Sequence, residues 1–215
     1  MMIVIDFILH VDEHLLYLIQ QYGAGIYPLL FAILFVETGV VVFPFLPGDS
    51  LLFAAGALIS ASNGVLSLPW LLLVCILASI IGNSTNYWLG HKLGTPVLYS
   101  KKVGRFLKPQ QVQKAEHFFE EKGKYTIFIG RFLPFIRTLI PFIAGSTKMP
   151  WRTFSFYNII SAICWVVLAT CAGYFLGSIP VIHDHFSLIM LAVIFVSLLP
   201  MVITAWKNFR QRSAS

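Results

Sequence analysis

Charge is scarce in this chain. Asp, Glu, Lys and Arg make up 11% of its 215 residues, against 58% hydrophobic, and the mean hydropathy is +0.81. So little charge excludes an ordinary soluble globular protein and points to an integral membrane protein. Acids are scarcer than bases, nine against fifteen, giving a net charge of +6. In a membrane protein that excess is read as orientation and lipid-headgroup contact, and nucleic acid is not an expected partner. Cysteine is nearly absent: Cys75, Cys164 and Cys171 lie inside apolar runs, with no CxxC and no His at metal spacing. Neither a disulfide framework nor a zinc site is suggested, the cysteines read as packing residues, and no cofactor is implied. Met1 to Leu9 lacks a basic n-region and a small-residue cleavage site, and Asp6 interrupts it, so no cleaved signal peptide is expected. With no low-complexity segment and no long linker, residues 1–215 read as one membrane domain.

What is there is a series of apolar runs of unequal length. Residues 1–22 carry apolar positions at helical spacing with Asp6, His10, Glu13 and Gln20 opposite, which predicts an interfacial amphipathic helix, the alternative being a poor first crossing. Residues 26–60 are apolar but broken at Pro44-Phe45-Leu46-Pro47-Gly48-Asp49. The run after the break is only about 16 Å long as a helix, half a hydrocarbon core. Residues 68–90 are long enough to span, with Trp70 and Trp88 near the ends as interfacial anchors. Residues 91–124 are polar, with eight Lys or Arg, and include a short amphipathic helix after Pro109 of the kind that rests on a membrane surface. Residues 125–147 are apolar but broken by Pro134 and Pro141, residues 153–177 and 186–206 are full crossings, and the tail 207–215 is basic.

The positive-inside rule places 91–124 and the tail in the cytoplasm. Counting crossings back from the tail, 125–147 enters and leaves on the cytoplasmic face, whereas 26–60 enters from the outer face. Both are then re-entrant hairpins. The predicted fold is all-α: an inverted-topology repeat in which each half is a re-entrant hairpin plus a transmembrane helix, with the N-terminal amphipathic helix and a last crossing added. Phe53-Ala54-Ala55-Gly56 and Phe142-Ile143-Ala144-Gly145 echo each other at the ends of the hairpins.

Four charges interrupt the hairpins: Glu37 and Asp49 in the first, Arg131 and Arg137 in the second. A charge at bilayer depth costs from about 2.5 to more than 10 kcal/mol, so it needs a partner or a task. Arginine suits bidentate phosphate contact, and helix N-termini after Pro47 and Pro141 would add partial positive charge. Arg131 and Arg137 are therefore substrate-binding candidates, Glu37 and Asp49 proton-coupling candidates, and Pro44, Pro47, Gly48, Pro134 and Pro141 the breaks that support them. Each has a simpler reading: Asp49 as a helix N-cap, Glu37 as half of a structural ion pair, the arginines as snorkelling side chains. Asn83 and Asn86 read as interhelical hydrogen bonds. His10, His14, His183 and His185 read as solvated, and Gly173 to Gly177 matches GxxxG, which suits internal packing or a homo-oligomer face alike.

Glu37-Thr38-Gly39, Phe43-Pro44-Phe45-Leu46-Pro47-Gly48-Asp49-Ser50, and Gly130-Arg131-Phe132 with Pro134, Arg137, Pro141 and Ala144-Gly145 resemble the motifs of the DedA family of bacterial inner-membrane proteins. The resemblance extends over about residues 5–205. It implies kinship with eukaryotic VTT-domain lipid scramblases, multi-pass residence in the bacterial inner membrane, and movement of lipids such as undecaprenyl phosphate or phosphatidylethanolamine. By matching motif position, the family's important acids fall on Glu37 and Asp49 and its arginines on Arg131 and Arg137. Where many members carry an acid and then Gly-Arg, this chain has Asn83 and Gly90-His91-Lys92, so no acidic role is assigned there.

The expected function is a flippase for a lipid phosphate, undecaprenyl phosphate first among candidates, coupled to protons, with phospholipid or polyprenyl phosphate as partner. The alternative is a proton-motive-force-dependent transporter of a small solute or ion. A phosphatase or transferase is not expected: there is no paired His with Asp, no CxxC and no Ser-centred nucleophile motif, hence no catalytic residue to name.

Overall fold

The computed structural model describes residues 23–39, 48–61, 66–99, 109–133 and 136–177. The predicted helix at 1–22, Pro44 and Pro47, Pro134, the last crossing at 186–206 and the tail at 207–215 lie outside the described residues. Those described form α1 (Ile26–Gly39), α2 (Gly48–Ala61), α3 (Leu68–Leu93), α4 (Pro109–Lys122), α5 (Thr126–Gly130), α6 (Leu139–Ser146) and α7 (Trp151–Gly177), with short 3-10 turns at Gly23–Gly25, Thr95–Tyr99 and Gly123–Tyr125. No strand occurs among the described residues.

Only α3 and α7 are long and apolar enough among these to cross a membrane, each offering a 26-residue span. At 1.5 Å per residue each is about 39 Å long, against a core of about 30 Å. Just a third of each apolar window is buried, which separates them from the core helices of a soluble protein. Their sidedness is inverted relative to a soluble helix. Leu73, Leu77, Ile81, Ile159, Ile163 and Leu168 face outward, whereas Ser79, Asn83, Asn86, Asn158, Ser161 and Thr170 are buried. Apolar outside and polar inside is the arrangement a hydrocarbon solvent demands. The chain is a membrane protein whose described elements are all helical. At 14 residues, α1 and α2 reach about 21 Å each, and α5 and α6 are shorter still.

Pro141 does not interrupt its helix as the sequence predicted. α6 begins at Leu139, which places Pro141 in the first turn, where the missing N–H would have had no intrahelical acceptor. The described residues 131–133 and 136–138 are turns, with Leu133 N–H donating to Gly130 O and Arg137 N–H to Leu133 O, both 3.1 Å.

The helices divide into two compact units. One takes in the described stretches 23–26, 48–61, 66–71 and 169–177, the other 27–39, 72–99, 109–133 and 136–168. In the first, α2 crosses the end of α7 at two glycines: a Cβ at Gly56 would run into the Thr170 carbonyl, and one at Gly173 into the Phe53 carbonyl. In the second, α6 crosses α3 in the same manner, Gly145 against the Tyr87 carbonyl and Gly90 against that of Phe142. Backbone meets backbone where no side chain intervenes, the usual way for helices to associate in lipid. Gly90→Ala or Gly145→Ala is therefore expected to cost about 1–3 kcal/mol, because the added methyl meets a carbonyl that cannot rotate away. A melting temperature unchanged by either substitution would show that these helices can part without loss.

The amphipathic helix α4 turns its apolar stripe into the protein. Val112 and Ala115 are fully buried in a cluster with Leu98, Ile127, Leu139, Ile143 and Phe154, and Phe118 and Phe119 pack against it. The membrane-surface reading of this stripe gives way to a protein-facing one. The neighbouring turn is tied to α4 by Tyr99, whose phenol donates to Glu116 Oε2 at 2.6 Å. That bond, with some burial, pushes the Tyr99 phenol up to about 12. α6 ends in a Schellman motif: Met149 N–H donates to Ala144 O and Lys148 N–H to Gly145 O, both 3.0 Å. Lys148 sits in the left-handed region at φ 56°, the only non-glycine among the described residues with positive φ.

Candidate functional site

Within the second unit the polar side chains of α3 and α7 fall into register. Ser79, Asn83 and Asn86 are spaced four and three apart on α3; Asn158, Ser161 and Trp165 are spaced three and four apart on α7. Such spacing puts each set on one helix face. Asn83 Nδ2 donates to Asn158 Oδ1 at 2.9 Å, the interhelical bond expected of it, and Asn158 Nδ2 donates to the Ile80 carbonyl at 3.2 Å. Asn86 donates to the Thr138 carbonyl at 2.7 Å and the Thr38 carbonyl at 3.3 Å. It thus ties the end of α1 to the turn that carries Arg137.

Arg131 follows directly on α5 and is 6% exposed. One guanidinium nitrogen donates to Asn158 Oδ1 and Ser161 Oγ, both at 3.4 Å, and the other to Ser79 Oγ. Arg137, in the turn before α6, forms an ion pair with Glu37 from α1, across 100 residues of sequence. Glu37 is 1% exposed. Both guanidiniums lie over one indole, with Cζ 5.1 Å (Arg131) and 5.5 Å (Arg137) from the Trp165 ring centroid. Cation–π attraction of this kind is worth ~0.5–2 kcal/mol, more as water is excluded.

These groups enclose a cavity of about 20 Å³, lined among others by Glu37, Asn83, Arg131, Arg137, Thr138 and Trp165. That is room for about one water molecule. A phosphate cannot enter beside the Glu37–Arg137 pair as it stands. An anion reaching Arg137 has to replace the Glu37 carboxylate, so the carboxylate holds the place an anionic ligand would take.

Three of the four charges singled out in the sequence thus meet around one cavity. The fourth, Asp49, belongs to the other unit, where it is exposed in the first turn of α2 next to the buried Gly48. There a carboxylate complements the helix dipole. Helix α2 starts at Gly48, two residues earlier than a cap at Asp49 would place it. Ser79, Asn158, Ser161 and Trp165 were not singled out from the sequence. Their signal was available in the three-and-four spacing of polar residues within apolar spans.

A VTT domain matches residues 46–175. The chain is 45% identical to Protein DedA of Escherichia coli over 96% of its own length and 94% of that protein's. It is 42% identical to an uncharacterized membrane protein of Mycobacterium tuberculosis, over 89% and 83% of the two lengths. It is also 36% identical to the inner membrane protein YqjA of Escherichia coli, over 83% and 78%. No solved structure matches the chain. A domain match over more than half the sequence and a relative similar almost end to end agree on one assignment: this chain belongs to the DedA family of VTT-domain membrane proteins.

Proposed function

We propose that this chain carries a lipid phosphate, undecaprenyl phosphate in the first instance, between the leaflets of the bacterial inner membrane, coupled to protons. The observation that carries the reading is the cavity lining: two guanidiniums on one indole and a single carboxylate, a surplus of positive charge where only an anion would be welcome. The headgroup takes the place of Glu37 at Arg137 while its hydrocarbon tail stays in lipid. Glu37, displaced from its cation in a medium of low dielectric, accepts a proton rather than remain charged. Loading and protonation are then one coupled step.

The reading also requires two hairpins that answer one another across the membrane. Support comes from the matched crossings, in which Phe53 and Gly56 of α2 meet Thr170 and Gly173 of α7 just as Phe142 and Gly145 of α6 meet Tyr87 and Gly90 of α3. Two short arms of corresponding sequence, each laid on a long helix at the same three-residue interval, fit an inverted-topology repeat.

Purified protein in liposomes should move undecaprenyl phosphate across the bilayer, and an imposed pH gradient should accelerate it. Glu37→Gln keeps a hydrogen-bonding side chain but cannot carry the charge. It is expected to bind the lipid at least tenfold more tightly and to lose the response to the gradient. Flux of a small solute without any lipid dependence, or release of inorganic phosphate from the lipid, would overturn the proposal.

A further inference from the structure

Lys148 is where the backbone departs from what its sequence would choose. The Schellman motif that ends α6 needs a left-handed residue after the cap, a position that normally falls to glycine, and the other described residues with positive φ are Gly23, Gly94 and Gly123. A lysine there strains the backbone, and the strain needs a return. Its side chain is exposed.

Lys148 comes three residues before Trp151, one half of an exposed aromatic pair. Trp88, near the end of α3, and Trp151, the first residue of α7, lie 5.5 Å apart between ring centroids, and they are 47% and 39% exposed. Trp88 also lies 5.8 Å from His91, and Gly145 of α6 approaches the His91 backbone, so the ends of these three helices converge. Exposed indoles at the ends of spanning helices settle at headgroup depth. Among the described residues, exposed cations adjoin the pair along the chain: Lys92, one helical turn beyond Trp88, Arg152, next to Trp151, and Lys148, three residues before Trp151. No Asp or Glu occurs between Ser50 and Ala115, or between Lys122 and His183, so neither of the stretches that build this rim supplies a counter-charge.

The geometry points to a headgroup site on this rim, distinct from the cavity of Arg131 and Arg137, that holds an anionic phospholipid of the adjoining leaflet: Trp88 and Trp151 flank its glycerol and upper acyl region while Lys148, Lys92 and Arg152 meet its phosphate. Charge complementarity at headgroup depth selects the occupant. The site does not depend on what the chain transports, and it gives the left-handed lysine its return, since glycine would relieve the backbone but leave the phosphate one cation short.

The full chain in nanodiscs of phosphatidylcholine, with and without phosphatidylglycerol, tests this by thermal melting. Phosphatidylglycerol should raise the melting temperature of the wild type. In phosphatidylcholine alone, Lys148→Gly should melt roughly 2–4 °C above the wild type, the shift expected from relieving one strained residue in a chain of this size. Its increment from phosphatidylglycerol should fall to half or less. Lys148→Asn, which tolerates the left-handed region, should lose the increment likewise and serves if the glycine variant does not fold. Arg152→Gln should lose the increment with no gain in phosphatidylcholine. A full increment in Lys148→Gly and Lys148→Asn would overturn the proposal. So would a glycine variant no more stable than the wild type in phosphatidylcholine, because the ammonium would then be serving the helix C-terminus. An equal shift from inorganic phosphate would mean a site for a free anion and would overturn it too.

Discussion

Arg137→Ala is expected to be the most destabilising single substitution at the site, at about 3 kcal/mol, the lower end of the range for breaking a buried ion pair. Glu37 is what makes it so. The carboxylate is almost wholly buried in α1 and bonded to Arg137, and without the guanidinium it must stay charged in a low-dielectric interior or take up a proton, either of which costs stability. The lower end applies because the Arg137 side chain keeps 17% exposure, so part of the pair is already screened. Adding Glu37→Gln to Arg137→Ala should restore most of the loss, because the double variant strands no charge. Denaturation of the purified protein in detergent, run as a double-mutant cycle, measures both numbers. Strictly additive losses would mean that the two side chains touch without depending on each other.

Arg131→Lys should reduce lipid-phosphate flux at least tenfold while leaving the charge of the cavity as it was. Arg131 is a bridge as much as a cation: one terminal nitrogen reaches Asn158 and Ser161 on α7, the other Ser79 on α3. A lysine ammonium is a compact point and cannot span those two helices while also facing Trp165. Each hydrogen bond to a charged group contributes ~1.5–3 kcal/mol, so losing one already accounts for a tenfold effect. Flux in Arg131→Lys equal to wild type would show that the cavity needs positive charge at this point but not the planar fork.

The spanning helices were legible because length and apolarity are read directly: 68–90 and 153–177 in the sequence became Leu68–Leu93 and Trp151–Gly177. Glu37, Arg131 and Arg137 were legible for a different reason, the cost of a charge in an apolar run, which leaves few uses for it. Neutral residues raise no such alarm. Ser79, Asn158, Ser161 and Trp165 cost little wherever they stand in a helix, and their common purpose shows only once α3 and α7 are side by side. The stripe of Val112, Ala115 and Phe119 says that α4 has an apolar side, but periodicity does not say whether lipid or protein covers it. Pro141 was misread because a proline is a break in a helix interior and harmless in a first turn, and the two differ by three residues of boundary. Asp49 shows the same limit in its electrostatic form. Its price was readable, but the compact unit to which it belongs was not.

The matched glycine crossings also set a timetable for synthesis. Gly56 is made early, and the stretch of α7 it must lie against, Thr170 to Gly173, comes more than one hundred residues later. At ~5–20 residues per second, α2 waits on the order of 5–25 s for its partner, whereas Gly90 waits for Gly145 about half that time. During that interval the glycine face of α2 is without the α7 backbone it packs against in the folded chain. The α3–α6 crossing therefore closes first, and the α2 crossing stays open until residue 173 has been made.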